Sequence, residues 1–472
     1  MFWKSLQTAS PIFILLIAVT IVLAYLPKVN LGHSDAFKKR RIWNWLPLGL
    51  TYAFLYMGRY NLTVSKNAFG DLMTNADFGT IFGIGAIVYG CAFIVNGPLT
   101  DKFGGRRAML VGSMGAALAN LAMGLVTWFG WTKNLILTFS ILYGINMYFQ
   151  SFGAVAIVKV NSSWFHVRER GTFGGIFGIL ISLGLYFAYD WGSIISKTFP
   201  LAFVFFIPTV LLIFFFILCY LMVRDRPSEA GFADFETGDN KFGGNEALGV
   251  FSVAKRMFSH PVILTIAFIE FCSGFLRNAI MSWYIIFSKQ TGIIGTYVPS
   301  NWGLLLCCAG ILGGVFAGTI SDKVFHSRRG PVTAVLYGIM VFGGIAMTFM
   351  LNSEYLGWLM VFMSMAIIGV HGMLSGTASM DFGGRKNTGT AVGLIDGFVY
   401  LGSCVESFLY GKTLPTGDAA KIAGNWGSWP VAMVPVALIG FILTLRIWSA
   451  TPQKSTSTAP SNSPVTPTVT TT

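Results

Sequence analysis

The chain has 472 residues, of which 54% are hydrophobic and only 11% are charged. Because soluble domains carry about 25% charged residues, this composition excludes an ordinary water-soluble fold. The formal net charge of +13 would suit a nucleic-acid partner, but the basic residues lie at the ends of hydrophobic segments, where they set topology and contact anionic lipid. We therefore expect a protein surrounded by membrane lipid, with no nucleic-acid partner.

Hydrophobic segments of about 20 residues recur along the chain, which is the length a helix needs to cross a hydrocarbon core of ~30 Å. A membrane barrel would instead show alternating polarity in shorter segments. The sequence thus predicts an all-α membrane protein with thirteen spans. They cover roughly 10–27, 43–66, 77–99, 107–129, 135–160, 172–195, 200–223, 260–288, 300–320, 331–351, 355–379, 388–411 and 428–448.

The first span differs from the others in its flanking charges. Only Lys4 precedes it, whereas a run of four basic residues, Lys38 to Arg41, follows it. A signal peptide is the alternative, but no small-residue cleavage site follows the segment convincingly. The charge asymmetry favours an N-terminus outside the cell and an uncleaved extra helix before a twelve-helix core.

Basic loops alternate with nearly neutral loops along this core, and the positive-inside rule places the basic loops and the C-terminus in the cytoplasm. A polar, glycine-rich stretch separates two halves, and the Ser/Thr/Pro-rich end has a composition typical of disorder. The predicted organisation is an extra helix with a basic segment (1–41), a six-helix bundle (42–223), a cytoplasmic linker (224–259), a second six-helix bundle (260–449) and a disordered tail (450–472).

An internal repeat relates the two bundles. Arg59 and Arg277 are 218 residues apart, and the same offset relates Gly171–Thr172 to Gly389–Thr390. Matches at one offset in equivalent helices indicate parallel repeats, related by an axis along the membrane normal. In transporters built this way, the substrate site lies between the halves near the middle of the bilayer.

A second repeated pattern lies in two loops. GPLTDKFGGRR (Gly97–Arg107) and GTISDKVFHSRR (Gly318–Arg329) each place an aspartate before basic residues, and they resemble the loop signature of the major facilitator superfamily. We interpret them as a cytoplasmic latch that opens when the halves rock; the alternative is charge that only sets topology. The residues assigned to the latch are Asp101, Arg106, Asp322 and Arg328.

Two arginines at membrane depth are the main functional candidates, because an arginine there costs roughly 2.5–3.5 kcal/mol on the insertion scale. Guanidinium groups bind oxyanions through two parallel hydrogen bonds, so a symmetric arginine pair predicts an anion site, with phosphate as the leading ligand. The candidate substrate-binding residues are Arg59, Arg277, Tyr52, Tyr56, Tyr60, Asn61 and Lys159. The candidate coupling or selectivity residues are Asp396, Glu406 and His371. For the tyrosines and His371, packing between helices is the alternative.

The run YAFLYMGRYN (Tyr52–Asn61) resembles the first-helix motif of the organophosphate:phosphate antiporter family, and further similarity lies around Arg277, in Ser321–Gly330 and in Asn387–Gly402. The resemblance covers about residues 40–450. It implies the major facilitator fold and alternating-access exchange of an organophosphate for inorganic phosphate, with both arginines on the phosphate.

The chain departs from the pattern of that family at three positions. Tyr60 and Phe93 stand where the family often has lysine, and Ile181 stands where its glycerol-3-phosphate transporters have histidine. These departures make glycerol 3-phosphate a less favoured substrate and lower the positive charge of the site.

We therefore expect a secondary transporter for a phosphorylated small metabolite, exchanged for inorganic phosphate, that works as a monomer in a bacterial inner membrane. Two alternatives stay open: a proton-coupled carrier of another organic anion, using Asp396 or Glu406, and a transporter-like organophosphate sensor. An enzyme is not expected, because the sequence shows no nucleophile–base arrangement, metal-ligand spacing or nucleotide-binding loop. No cofactor is expected either.

Overall fold

A computed structural model of the chain describes residues 31–131, 133–166, 169–237, 261–292, 297–325 and 328–449, and the single residues 17, 20, 255 and 259. The predicted extra helix at 10–27 lies outside the described residues apart from residues 17 and 20, and the predicted tail lies entirely outside them. Of the predicted linker, only 224–237, 255 and 259 are described.

The first half begins at α1, where the hydroxyl of Ser34 accepts a hydrogen bond from the amide of Phe37 and so satisfies one of the free N–H groups of the first turn. α2 begins in the same way, with a capping box between Thr74 and Asp77. The helices of this half are α1 (Asp35–Lys66), α2 (Asn75–Phe103), α3 (Gly105–Trp128), α4 (Leu135–Trp164), α5 (Arg170–Tyr186), α6 (Gly192–Thr198) and α7 (Phe203–Met222). A π-helical turn, Phe187–Trp191, joins α5 to α6.

The second half repeats this architecture. Its helices are α8 (Pro261–Met281), α9 (Trp283–Thr291), the short α10 (Tyr297–Ser300), α11 (Trp302–Lys323), α12 (Arg329–Met350), α13 (Leu356–Thr413) and α14 (Ser428–Arg446). Short 3₁₀ turns lie in several connections, at Gly70–Leu72, Pro227–Ala230, Gly417–Lys421 and Ala423–Gly427.

α13 supplies two membrane crossings. It has 58 residues, which would extend about 87 Å if straight, nearly three times the hydrocarbon thickness. The hydroxyl of Ser375 nevertheless donates a hydrogen bond to Asp396, 21 residues further along the chain. A straight helix would separate these residues by about 30 Å, so the chain reverses between them.

Nine helical segments among the described residues are long and apolar enough to cross a membrane. α1, α11 and the second limb of α13 pack among them, which gives twelve crossings within the described part of the chain. The predicted all-α membrane fold is therefore confirmed.

The two halves meet along α2 and the second limb of α13, where small residues let the backbones approach closely. A Cβ built on Gly79 would lie 2.5 Å from the carbonyl oxygen of Ser407, and one built on Gly393 would lie 2.5 Å from that of Phe93. These two contacts lie 14 residues apart on α2, about 21 Å, so the seam runs along about half of this 29-residue helix.

The opposite seam, between α5 and α11, is closed at one end by Asp190. Asp190 accepts hydrogen bonds from the amides of Gly303 and Leu304, at 2.7 and 2.9 Å. Further along, at Gly178 and Gly314, a Cβ would meet no atom within 4 Å in the described part of the chain. The halves are therefore joined at what we call the Asp190 end, and we call the opposite end, where Lys102 and Arg106 lie, the basic end.

Candidate anion-binding site

Arg59 lies in α1 between the two halves, and its guanidinium is fully buried. Nε donates to the side-chain oxygen of Gln150 at 3.0 Å, and Nη2 donates to the hydroxyl of Tyr89 at 2.7 Å. Nη1 donates to the hydroxyl of Tyr400, which comes from α13 in the other half. The rings of Tyr56 and Tyr89 also lie 4.7 and 4.5 Å from the guanidinium carbon, close enough for cation–π attraction.

A chain of buried amides fixes the position of Gln150. Its side-chain nitrogen donates to Asn146 at 3.0 Å, Asn120 donates to the same oxygen at 3.0 Å, and Asn61 donates to Asn120 at 2.6 Å. Asn61 was expected to contact substrate. The structure places its amide nitrogen at the far end of this series of hydrogen-bonded amides. Asn61 therefore supports the position of Arg59 indirectly, through Asn120, Asn146 and Gln150.

Arg277 lies in α8, and only 8% of its surface is exposed. Among the described residues, no acceptor lies within hydrogen-bond distance of its guanidinium, although the ring of Tyr400 lies 5.9 Å away. A buried cation without an acceptor is costly, since its lost hydration is not replaced. The five N–H donors of Arg277 are thus free to bind an oxyanion that enters beside Tyr400.

The three predicted tyrosines follow one another along α1. The rings of Tyr52 and Tyr56 lie 5.3 Å apart, and those of Tyr56 and Tyr60 lie 6.0 Å apart. Tyr56 contacts the guanidinium of Arg59, whereas Tyr60 packs against Tyr189 of the π-helical turn, with ring centroids 5.4 Å apart. The face predicted around Arg59 is therefore aromatic and buried.

Three residues of the site were not predicted from sequence: Tyr89, Gln150 and Tyr400. Tyr400 lies inside the run Asn387–Gly402 that carries part of the family resemblance, and it follows Asp396 by one helical turn. Gln150 is a polar residue within a hydrophobic span, which is a usable signal on its own. Tyr89 gives no comparable signal, because tyrosine is common between packed helices.

Lys159 does not join the arginines. Its ammonium pairs with the carboxylate of Asp101 at 2.8 Å, near the basic end of the bundle. The predicted latch residue Asp101 therefore forms an ion pair with a lysine of α4.

Arg106, a second predicted latch residue, donates its backbone N–H to Asp225 at 2.8 Å and its guanidinium N–H to the carbonyl of Tyr220 at 2.5 Å. Burial raises the pKa of Asp225, and the hydrogen bond from the first turn of α3 offsets part of that rise. In the second half, Arg328 is exposed, and the side chain of Asp322 lies outside the described part of the structure.

Acidic residues and a histidine form a cluster on the second half, which we call the acid–histidine cluster: Glu270, His371, Ser375 and Asp396. His371 Nδ1 lies 3.0 Å from Glu270 Oε2, and Asp396 accepts from Ser375. Arg277 is within electrostatic reach of Glu270, His371 and Asp396. The structure therefore brings two of the three predicted coupling residues, His371 and Asp396, next to Arg277.

Glu406, the third coupling candidate, lies ten residues beyond Asp396, about 15 Å further along the helix. Its carboxylate accepts hydrogen bonds from Asn278 and from Ser407, the latter at 2.9 Å. It belongs to a separate polar group nearer the Asp190 end. Within the described residues, no group of three or more His, Cys, Asp or Glu side chains could hold a metal ion.

Comparison with known proteins agrees with this architecture. Residues 48–405 match the family model of the Major Facilitator Superfamily. The fold is similar to the crystal structure of a bacterial homologue of the human lysosomal transporter Spinster in an inward-facing, unoccupied conformation. The TM-score is 0.64 at 13% identity, over 88% of this chain and 98% of the other.

Relatives of known type match over most of their length. A probable hexose phosphate transport protein of Chlamydia pneumoniae is 23% identical over 89% of this chain and 95% of its own. The glycerol-3-phosphate transporter of Bacillus subtilis (strain 168) is 26% identical, over 88% and 94%. The membrane sensor protein UhpC of Escherichia coli (strain K12) is 23% identical, over 87% and 93%.

Proposed function

The chain belongs to the major facilitator superfamily, a family of membrane transporters rather than enzymes, and from this membership we propose that it exchanges a phosphorylated small metabolite for inorganic phosphate. One observation carries the proposal: Arg59 and Arg277 come from opposite halves and converge on Tyr400, and the buried guanidinium of Arg277 has no acceptor among the described residues. The names of the relatives, which include hexose phosphate and glycerol-3-phosphate transporters, support a phosphorylated substrate.

Phosphate oxygens can take the free donors of Arg277 on one side and the remaining donors of Arg59 on the other. An anion held this way ties the two halves together through Tyr400 and the arginines. The halves could then rock about the bound anion, closing at the basic end while the contact of Asp190 with α11 breaks. This alternation would expose the site first to one side of the membrane and then to the other.

Exchange, rather than one-way transport, follows from the unsatisfied donors of the empty site. Closing the basic end without an anion would bury the N–H donors of Arg277, for which the described residues provide no acceptor, and this is costly. A bound phosphate removes this cost, so the loaded carrier reorients more readily than the empty one. Transport in one direction then requires a second anion for the return.

We further propose that the basic end faces the cytoplasm of a bacterium, with the chain working as a monomer in the inner membrane. The helix ends and connections described at this end carry Lys102, Arg106 and Arg224, in agreement with the positive-inside rule. The division into bundles at 42–223 and 260–449, joined by a linker at 224–259 and flanked by an extra helix and a tail, is part of the same proposal.

Counterflow in proteoliposomes tests the proposed function. Vesicles loaded with unlabelled phosphate should accumulate labelled phosphate, and each phosphorylated metabolite that is a substrate should compete with it from outside. Vesicles loaded with a carboxylate such as succinate serve as the control and should accumulate none. Equal uptake into both kinds of vesicle would contradict exchange on an arginine site selective for phosphate.

A sensor is the second candidate, and its support is the similarity to the membrane sensor protein UhpC. A sensor would bind phosphate in the same arginine pair without carrying it across. Saturable phosphate binding to the purified protein, together with no counterflow, would favour this function over transport.

A further inference from the structure

We propose that the acid–histidine cluster beside Arg277 is a proton-binding site, so that the carrier takes up protons together with the phosphorylated anion. The proposal rests on the proposed function, because it concerns what accompanies the anion in the same site. In this proposal Glu270, His371 and Asp396 bind protons when the anion binds, so that the charge of the site matches the charge of its ligand.

The first observation is that neither carboxylate has a permanent cation as its partner. Glu270 is fully buried and contacts His371, which is charged only when it holds a proton. Asp396 is 8% exposed and accepts from the neutral hydroxyl of Ser375. Arg277 is near both acids but makes no direct ion pair with either of them. In the empty site the nearby charge of Arg277 stabilises these carboxylates, and once an anion takes that charge they are stable mainly when protonated.

The second observation is the guanidinium of Arg277, which no acceptor in the described part of the chain satisfies and which marks where the anion enters. Arg277 follows Glu270 by seven residues on α8, and Asp396 precedes Tyr400 by one turn on α13. The cluster therefore lies next to the anion position, on the side of the basic end. An anion beside Arg277 must interact with the charge of this cluster, because the intervening space is largely buried.

A count of charges gives the number of protons. The two arginines contribute two positive charges, and a phosphate dianion cancels both. The site is then neutral only if Asp396 is protonated and the Glu270–His371 pair holds one proton, since a proton on either member makes that pair neutral. A dianion is therefore expected to bind with about two protons, and a monoanion with about one.

Within the part of the chain whose side chains are described, few other groups could supply this charge. The charged or titratable groups there that interact with the acids of the cluster from the packed helices are Arg277 on α8, Tyr89 on α2 and Tyr337 on α12. Arg277 is the only cation among these groups. When the anion binds to it, its charge no longer balances the acids of the cluster. The protons come from the water on the open side and leave on the other side with the anion.

Calorimetric titration of the full-length protein with inorganic phosphate at pH 8 tests the proposal. Repeating it in buffers of different ionisation enthalpy gives the number of protons taken up per phosphate bound. Asp396→Asn should lower that number by about one, and Glu270→Gln should also lower it. The phosphate contributes the same protons in every titration, so the difference between variant and parent counts those on the protein.

Glu406→Gln is the matched control, because it removes another buried carboxylate about 15 Å along the same helix. It should leave the proton number unchanged. An unchanged number in Asp396→Asn, or a reduced number in Glu406→Gln, would overturn the proposal. Loss of phosphate binding in Asp396→Asn would also overturn it, since asparagine resembles the protonated acid that the bound state requires.

Phosphate counterflow, measured with equal pH on both sides of the vesicle membrane, tests the proposed exchange independently of proton uptake. Counterflow without proton uptake would refute the proton site and leave exchange intact, whereas absence of counterflow would refute exchange. A third result identifies another ligand for the cluster: preference for glucosamine 6-phosphate over glucose 6-phosphate, without proton uptake, would show that the acids bind an ammonium group instead.

Discussion

Replacement of Asp190 by asparagine is expected to loosen the contact that joins the two halves at the Asp190 end. The carboxylate accepts two backbone N–H groups, from Gly303 at 2.7 Å and from Leu304 at 2.9 Å. Both amides lie in the first turn of α11, where N–H groups have no partner inside the helix and attract negative charge. Asp190 itself lies in the π-helical turn, so its backbone is locally irregular.

The size of the effect follows from these contacts. Hydrogen bonds to charged groups contribute about 1.5–3 kcal/mol each. Asparagine keeps one acceptor oxygen, so the variant loses one such bond and the charge at the helix terminus. A net loss of about 1.5–3 kcal/mol corresponds to a shift of about 10- to 150-fold in the equilibrium between the closed and open Asp190 end.

Distance measurements between spin labels can detect this shift. Labels at Asn134 and Asp418, in a background without native cysteines, would report the separation of the halves at the Asp190 end. Asp190→Asn should broaden the distribution toward longer distances. Asp71→Asn, which changes an exposed carboxylate, is the control and should leave it unchanged. Identical distributions for Asp190→Asn and the parent would refute a role for this contact in closure.

Two further predictions concern the anion site and the seam between the halves. Gln150→Glu places a carboxylate about 3.0 Å from the Nε of Arg59 and so gives this arginine a permanent ion pair. Phosphate counterflow should then fall at least tenfold in a variant that still elutes as a single species from a size-exclusion column. Counterflow at the parental rate would argue against Arg59 as a phosphate ligand. Gly79→Ala should cost about 1–3 kcal/mol, because its Cβ would lie 2.5 Å from the carbonyl of Ser407, and the melting temperature should fall by several degrees. Gly314→Ala, whose Cβ meets no described atom within 4 Å, is the control, and equal melting temperatures for the two variants would contradict the close seam.

The sequence predicts the membrane crossings well because hydrophobic length alone determines them. Spans predicted at roughly 355–379 and 388–411 correspond to the two limbs of α13, on either side of the reversal between Ser375 and Asp396. The repeat offset likewise identifies Arg59 and Arg277 as equivalent residues, and the structure places both beside Tyr400. Internal symmetry is a property of one chain, so no structure is needed to detect it.

Contacts between helices could not be predicted in the same way. Lys159 is visible in the sequence as a charge near membrane depth, but its partner Asp101 lies 58 residues earlier, on a different helix. Tyr89 and Gln150 hydrogen-bond to Arg59 because α2 and α4 pack around α1, which hydrophobic periodicity does not reveal. The sequence alone identifies residues that occupy equivalent positions in the two repeats. It does not identify residues that become neighbours only because their helices pack together.

The most direct test of the central claim is phosphate counterflow by Arg277→Lys in proteoliposomes. Lysine keeps the positive charge but cannot bind phosphate through two parallel hydrogen bonds, so exchange should fall about tenfold or more. Arg446→Lys, at an exposed arginine at the end of α14, should exchange at the parental rate. If Arg277→Lys also exchanges phosphate at the parental rate, the arginine pair is not the anion site.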